Sequence, residues 1–325
     1  MAQSIARLDI LSVNHLAVLL GTPVERLTEV AQFARSYHQP FELVKRQRPF
    51  QKKVTSRTRP IDNPRGELKK VQRRIHRILL RPICFPSNVV GAVPKRSVMD
   101  NAQLHLNASV LVTIDVKSCF PSITNLHIYR VWREFLGCST RVAALLTRLT
   151  TFDRHLPQGA ATSPLLANLT IWMVDGEIRH ACDARSVAYS TWIDDLAFSG
   201  AAARQLIPIS AKTLQSHGLK ISRSKVKIMG PREIKLLTGT RLGRWAARAP
   251  KDKLSRVRSG IHKLQSGLVN PEEEERFING LVGQLEYIDR LSRKDSRTLA
   301  TQLSAVTTHA VPSAQALRFL KKTGK

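Results

Sequence analysis

The sequence predicts an α+β fold, a split βαβ sheet with helices packed on one of its faces. Two observations predict it. The centre of the chain runs strand, helix, strand, strand, in "SVLVTIDVKSCF", "SPLLANLTIWMVDGEIRH", "VAYSTWI" and "LAFSG". From Lys251 onward the apolar residues recur at helical spacing, so the chain ends in helices and not in more sheet. The 325 residues, 42% of them hydrophobic, suffice for two or three subdomains around a substantial core.

The elements follow in order. Residues 1–40 read as helical. In "GTPVERL", Thr22 is placed as N-cap, Pro23 at the first helical position and Glu25 three residues after the cap, a capping box. Phe41 to Arg65 is polar, basic and broken by prolines, which predicts loops and short strands. "ELKKVQRRIHRILL" reads as a helix with Leu68, Val71, Ile75, Ile78 and Leu79 on one face. Lys69, Lys70, Arg73, Arg74 and Arg77 crowd the rest. Like charges four residues apart repel, so this surface is either simply solvated or neutralised by a phosphate backbone. In the central helix Ser163 is placed as N-cap and Pro164 at the first position. "VAYSTWI" and "LAFSG" meet at Asp194-Asp195, and "GLKIS", "KVKIMG" and "IKLLTG" are further short strands. Past Lys251, Leu254, Val257, Ile261 and Leu264 form one apolar stripe, with Arg256, Arg258 and Lys263 off it. Phe277, Ile278, Leu281, Val282, Leu285 and Ile288 form a second.

Charge narrows the function. Lys and Arg number 52 against 24 Asp and Glu, a net charge of +28. That balance points to a polyanionic partner, nucleic acid before a membrane surface. No apolar run reaches the ~18 residues of a spanning helix. The N-terminus has polar breaks and one early Arg, unlike a secretory signal. Cys84, Cys119, Cys138 and Cys182 are widely spaced with no Cys-x-x-Cys pair, which argues against structural zinc and for a reducing, cytoplasmic setting.

In so basic a chain the pair Asp194-Asp195 asks for a reason. A solvated turn is the bland one, since Asp is a common turn residue. Its neighbours Trp192, Ile193, Leu196 and Phe198 are apolar, however, and adjacent buried anions repel unless a cation sits with them. A third carboxylate, Asp115, ends the strand "LVTIDV". In a split βαβ sheet that strand can neighbour the hairpin. Three hard oxygen ligands suit Mg²⁺, which also takes oxygens from substrate phosphates. A pair of such ions stabilises the attacking and leaving oxygens of an in-line phosphoryl displacement, the chemistry of nucleotidyl transfer.

These residues carry a resemblance. Over roughly 50–245 the chain resembles a reverse transcriptase, with five motifs in order. "TIDVKSCFPSI" resembles the first palm motif, with Asp115 as metal ligand. "LPQGAATSPLLANL" resembles the second, with Gln158 and Gly159 beside template and incoming nucleotide. "WIDD" resembles the catalytic hairpin, whose usual form is Tyr-x-Asp-Asp, so Trp192 is a departure. "HGLKISRSKVKI" resembles the fourth, with Lys225 near the triphosphate. "LLTGTRLG" sits where the primer-supporting hairpin belongs. The resemblance implies that Phe120 excludes a ribose 2′-hydroxyl; from chemistry alone it is equally a core residue. It implies that Arg59, in "RTRPIDNP", grips the triphosphate, with Lys52 or Lys53 either helping or only solvated. The implied architecture is a right hand: an N-terminal helical segment (1–50), fingers (51–108, with part of 140–165), a ferredoxin-like βαββαβ palm (109–245) and a helical thumb (246–325). The implied cofactor is two Mg²⁺ ions, and the implied substrates are deoxynucleoside triphosphates.

"NAQLH" (101–105) resembles the Asn-Ala-x-x-His signature of bacterial retron enzymes, and "LTG" (237–239) their Val-Thr-Gly. No RNase H segment with its own acidic cluster follows the palm motifs. Leu237 replaces the usual Val, and "VVGAVPKRSV" stands where His-Gly-Phe is often found. Asn101 and His105 read equally as hydrogen-bonded core residues, and neither is placed in catalysis. The retron resemblance implies a structured non-coding RNA as template and primer, a branched RNA–DNA product, a separate effector protein, anti-phage defence and a bacterial cytoplasm. RNA contacts are expected from Lys69, Arg73 and Arg77, and from Arg256, Arg258 and Lys263 on the thumb. Two rivals stand beside this: another bacterial defence or intron-type reverse transcriptase, and a non-catalytic RNA-binding protein on a polymerase scaffold. The two retron signatures argue against the first and the intact aspartates against the second.

Overall fold

The computed structural model describes residues 6–44, 58–306 and 313–323. They form two compact units, Met1–Ser97 with Val110–Ile228, and Val98–Ser109 with Met229–Lys325. Residues 98–108, which the sequence reading put at the end of the fingers, and Ser109 with residues 229–245, put in the palm, thus cluster with the C-terminal helices.

The first unit opens with helices Val13–Leu20 and Val24–Gln32. Ser12 caps the first by accepting from His15 N at 3.1 Å. The capping box at Thr22 does not form. Pro23 occupies the cap, and the Thr22 hydroxyl donates backward to Leu20 O at 3.2 Å and accepts from Arg74 at 2.6 Å. The expected helical segment ends early as well. His38–Val44 is strand β1, paired antiparallel along its full length with β2, Thr58–Pro64. Pro40 and Phe41 favour extended backbone over helix. The helix Gly66–Ile75 widens into a π-type turn, His76–Leu80, and buries Leu68, Val71, Ile75 and Leu79 as its periodicity requires.

The central sheet holds β3 (Leu111–Asp115), β4 (Ala188–Trp192), β5 (Asp195–Ser199) and β6 (Lys227–Met229), in the order β4-β5-β3-β6. Numbered within this sheet the order is 2-3-1-4, that of a ferredoxin-like βαββαβ unit. The helix Ser163–Val174 fills the crossover between β3 and β4. It is apolar nearly all round and buried on almost every face, as a central core helix must be. Ser163 is not its cap. Thr162 holds that place without a side-chain bond, Ser163 lies inside the first turn, and both hydroxyls are buried.

In the second unit β7 (Leu236–Leu237), β8 (Thr240–Leu242) and β9 (Ala247–Arg248) form a small meander. Helices Lys251–Gln265, Pro271–Leu291, Arg293–Val306 and Ala314–Thr323 share a core of Val257, Ile261, Ile278, Leu285, Leu299 and Leu303. A Cβ on Gly260 would meet Leu281 Cδ2 at 2.5 Å, so that crossing is as close as glycine allows.

Candidate active site

The hairpin follows from register. Asp115, last residue of β3, lies opposite Asp195, first residue of β5, and Trp192 lies opposite Asp195 from the other side. Only Ile193 and Asp194 remain to make the turn. Ile193 takes φ +56°, a left-handed conformation costly for a β-branched residue. Backbone contacts hold it there. Val90 N and Gly91 N donate to Thr191 O at 2.9 and 3.3 Å, and Thr191 N donates to Asn88 O at 2.8 Å. A Cβ on Gly91 would meet Ile193 N at 2.7 Å and both Trp192 C and Cα at 2.8 Å. Asn168 Nδ2 fixes Gly91 from behind, donating to its carbonyl at 2.7 Å. From the open side Val116 N donates to Asp194 O at 2.8 Å, and Ser222 N to Asp115 O at 2.7 Å.

The three carboxylates feel one another. Burial, and then the charge of Asp115, raise Asp194 above the ordinary carboxylate range, while Lys225 and Arg59 pull it back. Burial and the charges of Asp194 and Asp115 push Asp195 up to about 6, although its outer edge is open to solvent. Lys225 Nζ bridges both oxygens of Asp115 at 2.8 Å each. Among the described residues, no three acidic, histidine or cysteine side chains are gathered closely enough to hold an ion as they stand. The donor set still fits a hard divalent cation. It is all carboxylate, and the repulsion that raises Asp194 and Asp195 is what such a cation removes. Occupancy requires the Lys225 ammonium to leave Asp115.

The residues expected to meet the nucleotide gather around β2. Asp62 N donates to Gln158 O at 2.7 Å, and Gln158 N donates back to Asp62 Oδ2 at 3.0 Å, which His155 Nε2 approaches at 3.3 Å. Gly159 follows at φ +109°, with Ile61 Cγ2 2.9 Å from where its Cβ would be. Arg59, on the same strand, is exposed. Lys52 and Lys53 lie outside the described residues. Phe120, in the short helix Cys119–Ser122, is half-buried against the core, a position compatible with either of its two readings. Composition could not reveal Asp62 or Gly91 as positioning residues. The one sequence signal at Asp62 is an isolated acid in a basic stretch, and that does not name its partner.

The basic surfaces are uneven. Lys70 pairs with Glu67 at 2.7 Å and Arg74 is tied to the Gly21 carbonyl at 2.8 Å. Lys69, Arg73 and Arg77 form no ion pair among the described residues. Arg256 bonds Asp252 within its helix at 2.7 Å, Arg258 is exposed and Lys263 half-buried. The next helix begins with Glu272 to Glu275, suited to a helix N-terminus and hostile to phosphate. In the second unit, Asn101 Nδ2 donates to Thr238 Oγ1 at 3.3 Å, which brings "NAQLH" and "LTG" together. Neighbouring His105 is buried, and that burial lowers it to about 4. Among the described residues no helix is long and apolar enough to cross a membrane.

The sequence is similar to known proteins. The family model described as reverse transcriptase (RNA-dependent DNA polymerase) matches residues 50–240, more than half of the chain. The retron Ec86 reverse transcriptase of Escherichia coli is 29% identical over 251 residues, 76% of this chain and 76% of that protein. The retron Ec48 enzyme of Escherichia coli is 25% identical over 276 residues, 78% of this chain and 67% of that one. The retron Mx65 enzyme of Myxococcus xanthus is 26% identical over 287 residues, 82% of this chain and 66% of that one. Among solved structures, a Candida albicans telomerase with a fragment of telomeric RNA aligns at TM-score 0.48 and 12% identity, over 91% of this chain and 60% of that one. A foamy viral protease-reverse transcriptase with double-stranded DNA aligns at 0.45 and 13%, over 83% of this chain and 41% of that one. The chain belongs to the reverse transcriptase (RNA-dependent DNA polymerase) family, with its right-hand polymerase fold, and within that family to the bacterial retron type.

Proposed function

We propose that this enzyme copies a structured non-coding RNA from its own locus into a branched RNA–DNA, working in bacterial anti-phage defence beside a separate effector protein. The observation that carries the chemical part is the register that sets Asp115 opposite Asp195 with Asp194 in the turn between β4 and β5. In this reading Asp115, Asp194 and Asp195 hold two Mg²⁺ ions. When bound, the ions supply charge stabilisation to the attacking and leaving oxygens of nucleotidyl transfer.

The chain's own residues do the rest. Lys225, released from Asp115, and Arg59 meet the triphosphate. Asp62 holds the Gln158-Gly159 backbone against the base pair being formed. Phe120 narrows the space beside the sugar. Gly91 and Asn168 fix the hairpin that aims Asp194. In this reading the first unit carries most of the fingers and palm, without Val98–Ser109 and the stretch from Met229 to residue 245. The helical thumb falls in the second, and Arg258 and Lys263 contribute RNA contacts there, with Arg256 once it parts from Asp252. Lys69, Arg73 and Arg77 add sequence-independent phosphate contacts. The names of the retron relatives support the branched product, as does the Asn101–Thr238 contact between the two retron signatures.

The test is to express the protein with its flanking DNA and characterise the nucleic acid that copurifies. The expected species is DNA joined to RNA through a 2′–5′ bond, shortened by ribonuclease and separated by a debranching enzyme. Copurification of RNA alone, or of unlinked DNA, would overturn the branched-product reading.

A further inference from the structure

The turn between β8 and β9 carries an arrangement that the polymerase reading does not use. The resemblance places primer support in "LLTGTRLG", which ends at Gly243, and Arg244 and Trp245 lie just beyond it. Gly243 N donates to Ala246 O at 3.0 Å, and a Cβ on Gly243 would meet that oxygen at 2.6 Å. Closure this tight leaves Arg244 and Trp245 at the tip. Trp245 is 80% exposed, whereas Trp132 is fully buried and Trp172 nearly so. Arg244 Cζ stands 4.8 Å from the Trp245 ring centroid, and the remaining ring surface faces water. Trp is highly buried on average, and Trp245 departs from that pattern.

Beside the turn is a cleft of about 290 Å³, lined in part by Asn107, Arg232, Glu233, Lys235, Arg241 and Arg244. Two of these charges are already committed. Lys235 Nζ donates to Gly230 O at 2.9 Å, and the Glu233 carboxylate accepts from Gly230 N. Arg232, Arg241 and Arg244 form no ion pair among the described residues. Arg241 also stands directly opposite Arg248 across the β8–β9 pair. Like charges in that position destabilise a sheet unless an anion lies between or beside them.

We propose that this turn binds an unpaired RNA nucleotide, with its base stacked on Trp245 and its phosphates met by Arg232, Arg241 and Arg244. A base inside a duplex is stacked on both faces and cannot use an exposed indole, so the site selects single-stranded loops or ends. Guanidinium groups on an anion-seeking cleft favour nucleic acid over an apolar protein segment. The inference rests on the reading of the chain as an RNA-copying polymerase.

The test uses the full chain, with fluorescein-labelled oligo(A) of about twelve nucleotides and a blunt RNA duplex of the same length as probes. Stacking of about 1–3 kcal/mol per base corresponds to a roughly five- to 150-fold loss of affinity. Trp245→Ala is expected to lose that much for oligo(A), and Trp245→Phe to keep most of it. Duplex affinity, and extension of oligo(dT) on saturating poly(A), are expected to stay within about twofold. Wild-type affinity of Trp245→Ala for oligo(A) would overturn the site, as would an equal loss on both probes. Absence of extension by the wild-type chain would instead remove the polymerase reading beneath it.

Discussion

Gly91→Ala is the sharpest perturbation of the hairpin. The new methyl would stand 2.7 Å from Ile193 N and 2.8 Å from Trp192 C and Cα. Comfortable contacts for carbon lie near ~3.5–4.0 Å, so about 1 Å of separation must be found. Both sides of the contact are backbone, with no side-chain end to swing away. The strand carrying Thr191 and the segment Asn88–Gly91 are also tied by hydrogen bonds of 2.8–3.3 Å. The movement therefore reaches Asp194, the residue after Ile193. A displacement of ~1 Å at a catalytic group costs on the order of a hundredfold in rate, and overpacking costs about 1–3 kcal/mol of stability. The assay is single-nucleotide extension of a DNA primer on an RNA template, with kcat and nucleotide KM separated and thermal melting in parallel. The expected result is a fall in kcat of roughly a hundredfold, with KM and RNA affinity little changed. Gly280→Ala is the control. It lies mid-helix with nothing within 4 Å of its Cβ position, so it is expected to stabilise by about 0.5–1 kcal/mol. Gly91→Ala at close to the wild-type rate would refute the argument that this glycine aims the hairpin.

Three further outcomes follow from the same structure. Asp62→Ala removes the acceptor for Gln158 N and is expected to raise nucleotide KM about tenfold; Asp62→Asn, which keeps an oxygen acceptor, should recover most of it, and failure of that rescue would deny Asp62 a positioning role. Phe120→Ala should raise the ratio of ribonucleotide to deoxynucleotide incorporation, and an unchanged ratio would leave Phe120 as core only. Asp175 is fully buried, accepts from Tyr189 Oη at 2.8 Å, and is pushed by burial up to about 7. Its folded-state value lies above its unfolded one, so its contribution is fully present below about pH 4 and lost as pH rises through 7. That loss amounts to at most about 4 kcal/mol. Melting temperature should therefore fall between about pH 4 and pH 7 in the wild type and fall less in Asp175→Asn; identical profiles would contradict the assignment.

The sheet was legible because its signals are local and agree. β-branched residues marked β3, apolar and aromatic residues marked β4 and β5, and placing β3 beside the hairpin needed only the topology of a split βαβ unit. The helix ends were less legible. Thr22 and Ser163 both have capping chemistry and a proline beside them, yet each is displaced by one residue because its neighbour holds the cap. Tertiary contacts decided this, Arg74 on Thr22 being one. The meeting of Asp115 with the Asp194-Asp195 hairpin could be read from sequence because acid is scarce there. Asp62 and Gly91 could not, because their roles depend on partners 96 and about 100 positions away. The grouping of Val98–Ser109 with the C-terminal helices was hidden for the same reason: Asn101 meets Thr238 across 137 positions.

The central claim is that Asp115, Asp194 and Asp195 carry out RNA-directed DNA synthesis with a divalent cation. Asp194→Asn tests it most directly, since it removes one anionic ligand and keeps the size of the side chain. The measurement is Mg²⁺-dependent primer extension by wild type and variant on one RNA template, with RNA affinity determined on the same preparations. The expected result is extension by the wild type, a loss of at least about a hundredfold in the variant, and equal RNA affinity for both. Substantial Mg²⁺-dependent extension by Asp194→Asn would contradict the claim.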